Sequence, residues 1–213
     1  MKITFLTSGS VKSNFTYRNV QLARALKKQG HDVTIVCPIA DKYNNFKPEI
    51  VKEIDGVKVI QPFQFKTKRV EINLFPYIFS TIYFLLRNKT DLVYIYKPTP
   101  ISIVGLISKF IYGSKVVLDM DDVGSEVMKI EGHPKHQIKL VEWCEKLAAD
   151  YSDAIVTAST FLEKRYRNHY KNKPILTISN GVSSEWFSEL NYTNHNKRIV
   201  FMGSINRKNI LEP

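Results

Sequence analysis

Three carboxylates crowd into Asp119-Met120-Asp121-Asp122, directly after the apolar run Val116-Val117-Leu118. A carboxylate held at the end of a strand can accept the proton of an attacking hydroxyl, provided its pKa suits the working pH. Asp121 and Asp122 are therefore the candidate catalytic pair. The structural alternative is a loop in which both acids cap backbone N–H groups, as Asp commonly does. Other small, polar or ionisable residues also follow apolar runs: Ser8-Gly9-Ser10, Cys37-Pro38, Lys97, Ser159 and Asn180-Gly181. Ser159-Thr160 with Glu163 reads as a capping box rather than a nucleophile. Asn180-Gly181 reads as a left-handed turn. His133 and His136, in EGHPKHQ, read as solvated loop histidines.

Several chemistries are excluded by missing patterns. The loop after the first strand has one glycine, so there is no G-x-G-x-x-G, and the second strand ends without a ribose-binding acid. There is no G-x-x-x-x-G-K-[ST] and no G-x-S-x-G elbow. Cys37 and Cys144 are the only cysteines, with no C-x-x-C, which fits a reducing compartment better than a disulfide scaffold.

The elements that would position these residues alternate in type. Ile3–Leu6 is a short apolar strand. A helix follows over 15–29, with Phe15, Leu22 and Leu26 on one face and Arg18, Arg24, Lys27 and Lys28 mostly outward. Gly30 is its αL stop, and Val33–Cys37 is the next strand, completing a βαβ unit. Further strands are expected at 57–60, 91–96, 115–119, 154–157 and 175–178. Helices are expected at 73–87, 100–112, 135–150 and 160–170, with a loop before 135. Such apolar strands separated by helices predict an α/β fold: a Rossmann-like, doubly wound parallel sheet with helices on both faces. Ligands of such sheets bind beyond the carboxyl ends of the strands, where the candidates above fall.

With 213 residues, 44% of them hydrophobic, the chain can bury a core without disulfides or metal. A domain over 1–190, a polar linker over 191–198 and the opening strand of a truncated second domain over 199–213 are expected, since Ile199–Gly203 alone cannot bury itself. No signal peptide is read at the amino terminus, and the longest apolar stretch, Leu74 to Leu86, falls short of the roughly 20 residues that span a bilayer.

The net charge of +11 is unevenly placed. Residues 61–115 carry eight basic and two acidic side chains, whereas residues 116–150 carry four and eight. A concentrated acidic block argues against nucleic acid as a partner. The segment FQFKTKRVEINLFPYIFSTIYFLLRNK mixes aromatic, aliphatic and basic residues and suits an anionic membrane surface; a core helix under a basic rim is the alternative.

The stretches YRNVQLARALKKQGHDVTIVCP, DLVYIYKP, KVVLDMDDVGSE, ADYSDAIVTASTFLEKRY, ISNGVSSEWF and RIVFMGSINRKN occur in this order along nearly the whole chain. Together they resemble the amino-terminal domain of family-4, GT-B-fold glycosyltransferases. The resemblance implies an acceptor-side domain facing a second, nucleotide-sugar-binding domain, with transfer in the cleft between them, retention of configuration and a chain inactive without its donor half. It implies that Gly9 and Ser10 border the donor phosphates and acceptor, that the Asn180-Gly181 loop lies near the domain hinge, and that Gly203, Arg207 and Lys208 serve the donor diphosphate. Lys97, Asn180 and Gly181 are further candidates for donor or acceptor binding by their place at the carboxyl ends of strands. The family often presents a His beside an acid where this chain has Asp121-Asp122, and Ser183 and Ser204 replace a usual Asp and Arg. Asp119-x-Asp121 also matches the short metal motif of the other large glycosyltransferase fold, a spacing too common to assign a metal; no metal and no cofactor are expected, the nucleotide-sugar being a substrate. The implied acceptor is a cell-envelope glycan or lipid-linked sugar, and the implied location is cytoplasmic, peripheral at the inner face of the membrane. A non-catalytic membrane-docking subunit of a split transferase is the rival reading.

Overall fold

The computed structural model describes residues 1–8, 14–37, 49–54, 56–63 and 70–181. The 1–190 boundary, the linker and the strand expected at 199 lie beyond or across the end of that range. Among the described residues, eight strands form one sheet in the order β3-β4-β2-β1-β5-β6-β7-β8. They are β1 (Lys2–Thr7), β2 (Asp32–Val36), β3 (Glu49–Ile54), β4 (Val57–Pro62), β5 (Leu92–Tyr96), β6 (Lys115–Met120), β7 (Ala154–Thr157) and β8 (Ile175–Thr177). All neighbouring pairs are parallel except β3 with β4. The helices are α1 (Asn14–Lys28), α2 (Val70–Arg87), α3 (Leu106–Tyr112), α4 (Gly124–Ile130), α5 (Lys135–Tyr151) and α6 (Thr160–His169).

Two apolar layers follow from the strand alternation. On one face Val20 and Ala23 of α1 pack on Phe5, Val33, Ile35, Val57 and Val59. On the other, α2, α3, α5 and α6 cover Leu6, Val36, Ile60, Val93, Ile95, Leu118 and Ile155. Each large aliphatic side chain buried here contributes about 1.5–3 kcal/mol relative to exposure. The doubly wound α/β architecture is as the sequence predicts.

α1 ends as its sequence dictates. Gly30 has φ +85°, its N–H donates to Lys27 O, and His31 N–H donates to Leu26 O, a Schellman closure. Three elements depart from expectation. The edge strand β3 was not anticipated; it pairs with β4 through a turn in which Gly56 has φ +79°. α4 lies where a loop was expected. Its start is tied down by tertiary contacts, Glu145 accepting from both Ser125 N–H (3.0 Å) and Ser125 Oγ–H (2.6 Å). Finally, the helix expected from Pro100 begins only at Leu106, after a 3₁₀ turn over Ile103–Gly105. Ser102 Oγ accepts from Thr99 N–H at 3.0 Å and donates to Lys97 O at 2.6 Å, which holds residues 97–102 as a turn.

Gly105 sits where that turn meets the sheet. A Cβ there would stand 2.6 Å from Leu6 Cδ1 and 2.7 Å from Val93 Cγ1. Its φ of −57° is ordinary, so only space is at stake. Gly105→Ala gains about 0.5–1 kcal/mol of helical preference but overpacks the core at about 1–3 kcal/mol. The variant should unfold at lower urea concentration, with an unchanged m-value in equilibrium denaturation.

Candidate functional site at the carboxyl rim

The register of the parallel strands aligns Thr7 with Tyr96 and Tyr96 with Asp119, so the ends of β1, β5 and β6 form a common rim. Alternation puts Tyr94, Tyr96 and Asp119 on the face that α1 covers. Asp119 has no solvent exposure. Its carboxylate accepts from Arg18 Nε at 2.9 Å, Arg18 Nη2 at 3.2 Å and the Tyr94 hydroxyl at 2.8 Å. The Arg18 side chain is only 9% exposed. It was expected to point outward; it turns inward because a buried carboxylate needs a cation that brings several donors, and guanidinium supplies them in a fixed fork.

From this pair the network reaches the candidate acids. Arg18 Nη1 donates to Asn180 Oδ1 at 3.1 Å, and Asn180 Nδ2 donates to Asp121 Oδ1 at 2.7 Å. Asp121 Oδ2 accepts from the Tyr96 hydroxyl at 3.1 Å and lies 3.7 Å from Lys97 Nζ. Lys97 Nζ also donates to Asp122 Oδ2 at 2.7 Å. Asp122 is the most open acid of the three, its side chain 39% exposed against 19% for Asp121. Asp121 and Asp122 are thus held by side-chain donors, a different arrangement from the backbone capping considered above.

Lys97 itself is a conformational exception, with φ +53° in a non-glycine residue. Left-handed backbone costs an L-residue about 1–2 kcal/mol. The bend is held by Lys97 N–H donating to Asp119 O (3.2 Å) and by Ser102 on its carbonyl. It directs the ammonium group at two carboxylates, which a glycine in the same bend could not do.

Burial pushes the Asp119 carboxyl up, and Arg18 and Tyr94 pull it only part of the way back. Burial draws Arg18 down, but the bonded and charged Asp119 outweighs it and holds the guanidinium above its usual value. Both phenols are pushed up, first by burial and then by the acids they touch, so Tyr94 and Tyr96 remain hydrogen-bond donors.

The structure therefore brings Lys97, Asp121, Asp122 and Asn180 together, with Gly181 next in the chain. Neither Asn180 nor Gly181 takes the left-handed conformation expected of them; Asn180 is recruited through its side chain instead. Asp119 is committed to Arg18 and Tyr94, so the D-x-D spacing does not present two free carboxylates. Gly9, Ser10, Gly203, Arg207 and Lys208 lie outside the described residues. At Ser159 the cap forms, Leu162 N–H donating to Ser159 Oγ at 3.3 Å. The capping box does not, because Glu163 accepts from Thr177 (2.6 Å) and Arg167 (2.8 Å). Arg18, Tyr94 and Tyr96 were not singled out from the sequence. The one available signal for Arg18 was the need of a strand-end Asp for a counter-charge.

Arg18→Leu leaves Asp119 buried without its cation, a loss of about 3–5 kcal/mol at neutral pH. A carboxyl whose pKa is higher folded than unfolded binds more protons in the native state. Stability therefore falls as pH rises through that interval and recovers as pH drops and Asp119 protonates. Urea denaturation at pH 5 and pH 8 should show a smaller deficit for the variant at pH 5.

Comparisons with known proteins bear on the family and the fold. The family model described as Glycosyltransferase Family 4 matches residues 17–186. The chain is similar to sucrose-phosphate synthase from Thermosynechococcus elongatus, with TM-score 0.63 at 13% identity, covering 85% of this chain and 48% of that one. It is also similar to the catalytic domain of starch synthase IV from Arabidopsis thaliana bound to ADP and acarbose, with TM-score 0.59 at 12% identity and coverage of 86% and 52%. UDP-GlcNAc 2-epimerase from Neisseria meningitidis bound to UDP-GlcNAc gives TM-score 0.51 at 13% identity, with coverage of 83% and 45%. The chain spans about half the length of these solved structures. No curated protein matches it significantly. A matched family model over most of the chain, on a mostly parallel sheet of GT-B Rossmann-like type, identifies the protein as a member of glycosyltransferase family 4.

Proposed function

We propose that the protein is the acceptor-side part of a sugar transferase that moves a glycosyl unit from a nucleotide-sugar to a glycan or lipid-linked acceptor in cell-envelope polysaccharide synthesis. The observation that carries this reading is the convergence of Asp121, Asp122, Lys97 and Asn180 on one rim of a family-4 fold. In the reaction the acceptor oxygen bonds to the anomeric carbon, the bond from that carbon to the nucleoside diphosphate breaks, and the hydroxyl proton passes to a carboxylate. Asp122, the more open acid, is placed to receive it, while Lys97 and Asn180 hold the pair of acids in position. Gly9 and Ser10 are assigned to the approach of donor phosphates and acceptor, and Gly203, Arg207 and Lys208 to the diphosphate in a second domain beginning near residue 199. Gly181 lines the same cleft beside Asn180.

Retention of configuration is carried over from the family resemblance. The chain by itself is expected to be inactive, because the donor half completes the cleft. We place the protein in the cytoplasm, peripheral at the inner face of the membrane. Supporting peripheral attachment, Phe75, Phe79 and Tyr83 stand 65%, 66% and 58% exposed on α2. The same exposed aromatics favour a second reading, a membrane-docking subunit without a catalytic role.

Asp121→Asn and Asp122→Asn, introduced together at the gene's own locus, separate the two. Loss of a general base costs about 10²–10⁴ in rate. Incorporation of labelled sugar into envelope glycan should fall by at least 100-fold at unchanged protein abundance. Unchanged incorporation would favour docking.

A further inference from the structure

α2 is apolar on two opposite stripes. Tyr77, Thr81 and Leu85 face the sheet and are buried, whereas Phe75, Phe79 and Tyr83 face away from it. Among the described residues, half of the other large apolar side chains left exposed, Phe110, Ile111, Leu140, Trp143 and Tyr151, belong to α3 and α5 on the same face of the sheet. Between α2 and β4 this face is cut by an open groove of about 960 Å³, near the upper end of the range typical for small-molecule sites. Ile60, Pro62, Phe63, Phe79 and Tyr83 give it apolar walls.

The groove is polarised along its length. Ser80 Oγ donates to Phe63 O at 3.3 Å, pinning the end of β4 to the middle of α2. From there α2 runs antiparallel to β4, so Lys58 and Arg87 line the groove toward the same far end. Neither forms an ion pair among the described residues. The Arg87 guanidinium lies 4.9 Å from the centroid of the Tyr83 ring, and Glu53, opposite Lys58 in β3, makes no ion pair with it. From Phe75 to Arg87 the helix measures about 18 Å at 1.5 Å per residue, room for an extended fatty chain. An apolar trough ending in two cations complements an amphiphile with an acidic head.

We propose that the β4–α2 groove binds an anionic membrane lipid, its fatty chain along Phe63, Phe79 and Tyr83 and its acidic head between Lys58 and Arg87. This rests on the reading that the protein works at an anionic membrane, and it names the element that holds the lipid. The experiment is calorimetric titration of the 213-residue chain with dodecyl phosphate below its micelle concentration. It is paired with co-sedimentation on vesicles of phosphatidylglycerol and phosphatidylcholine, and of phosphatidylcholine alone. Saturable binding of one dodecyl phosphate is expected, at least tenfold tighter than dodecyl maltoside or inorganic phosphate. Lys58→Glu with Arg87→Glu, and separately Phe79→Ser with Tyr83→Ser, should each weaken it at least tenfold. No saturable binding by the unaltered chain overturns the proposal whatever the variants do, as does binding that neither double variant weakens. Sedimentation with anionic vesicles but no dodecyl phosphate binding leaves membrane attachment standing and removes the groove. The reverse keeps the groove and removes membrane attachment.

Discussion

A carboxylate without solvent access at the end of a central strand is the constraint on which the rim is built. Removing an ion of this size from water costs several kcal/mol even after relaxation, so Asp119 is tolerable only where donors converge on it. Arg18 and Tyr94 meet that need, and the Arg18 bonds tie α1 to the end of β6. The remaining guanidinium nitrogen then fixes Asn180, and Asn180 fixes Asp121. The position of Asp121 thus descends from a buried ion pair, while Lys97 holds Asp122.

The molecule separates its polar and apolar surfaces by sheet face. The rim opens beside α1, where tyrosines, aspartates and Lys97 exchange hydrogen bonds. The aromatic surface lies on α2, α3 and α5, across the sheet. Under the proposed function, docking by the aromatic face would leave the acids of the rim in water. The strained backbone at Lys97 belongs to the first of these surfaces. Its persistence in a residue type that disfavours the conformation is the kind of local cost that folds sustain at sites of use.

Much of the sheet was legible because parallel strands buried on both faces leave near-continuous apolar runs such as Leu92–Tyr96. β3 was not, since Glu49–Ile54 lacks strict polar–apolar alternation, Ile50-Val51 and Lys52-Glu53 being adjacent, and its one strand partner is β4. α4 was hidden for a related reason: a helix that opens on Gly124 has little propensity of its own and depends on Glu145 twenty residues away. The acids of the candidate site were visible as a cluster, but their partners were not. Arg18 looks like one of several outward cations on α1, and only the burial of Asp119 distinguishes it. Asn180 looked like turn chemistry because Asn-Gly usually is, whereas its amide was needed elsewhere.

The hydrogen bond from Arg18 to Asn180 joins residues 162 positions apart. On the ribosome, α1 emerges early and Asn180 only after every described strand has been made. β1, centrally placed between β2 and β5, must wait for β5 before its second edge is paired. Contacts of such long range are formed late and slowly, because loop closure precedes any reward. The rim is therefore the last region of the sheet to mature during synthesis, and a nascent chain stalled before residue 180 would hold Arg18 and Asp119 without the amide that links them to Asp121.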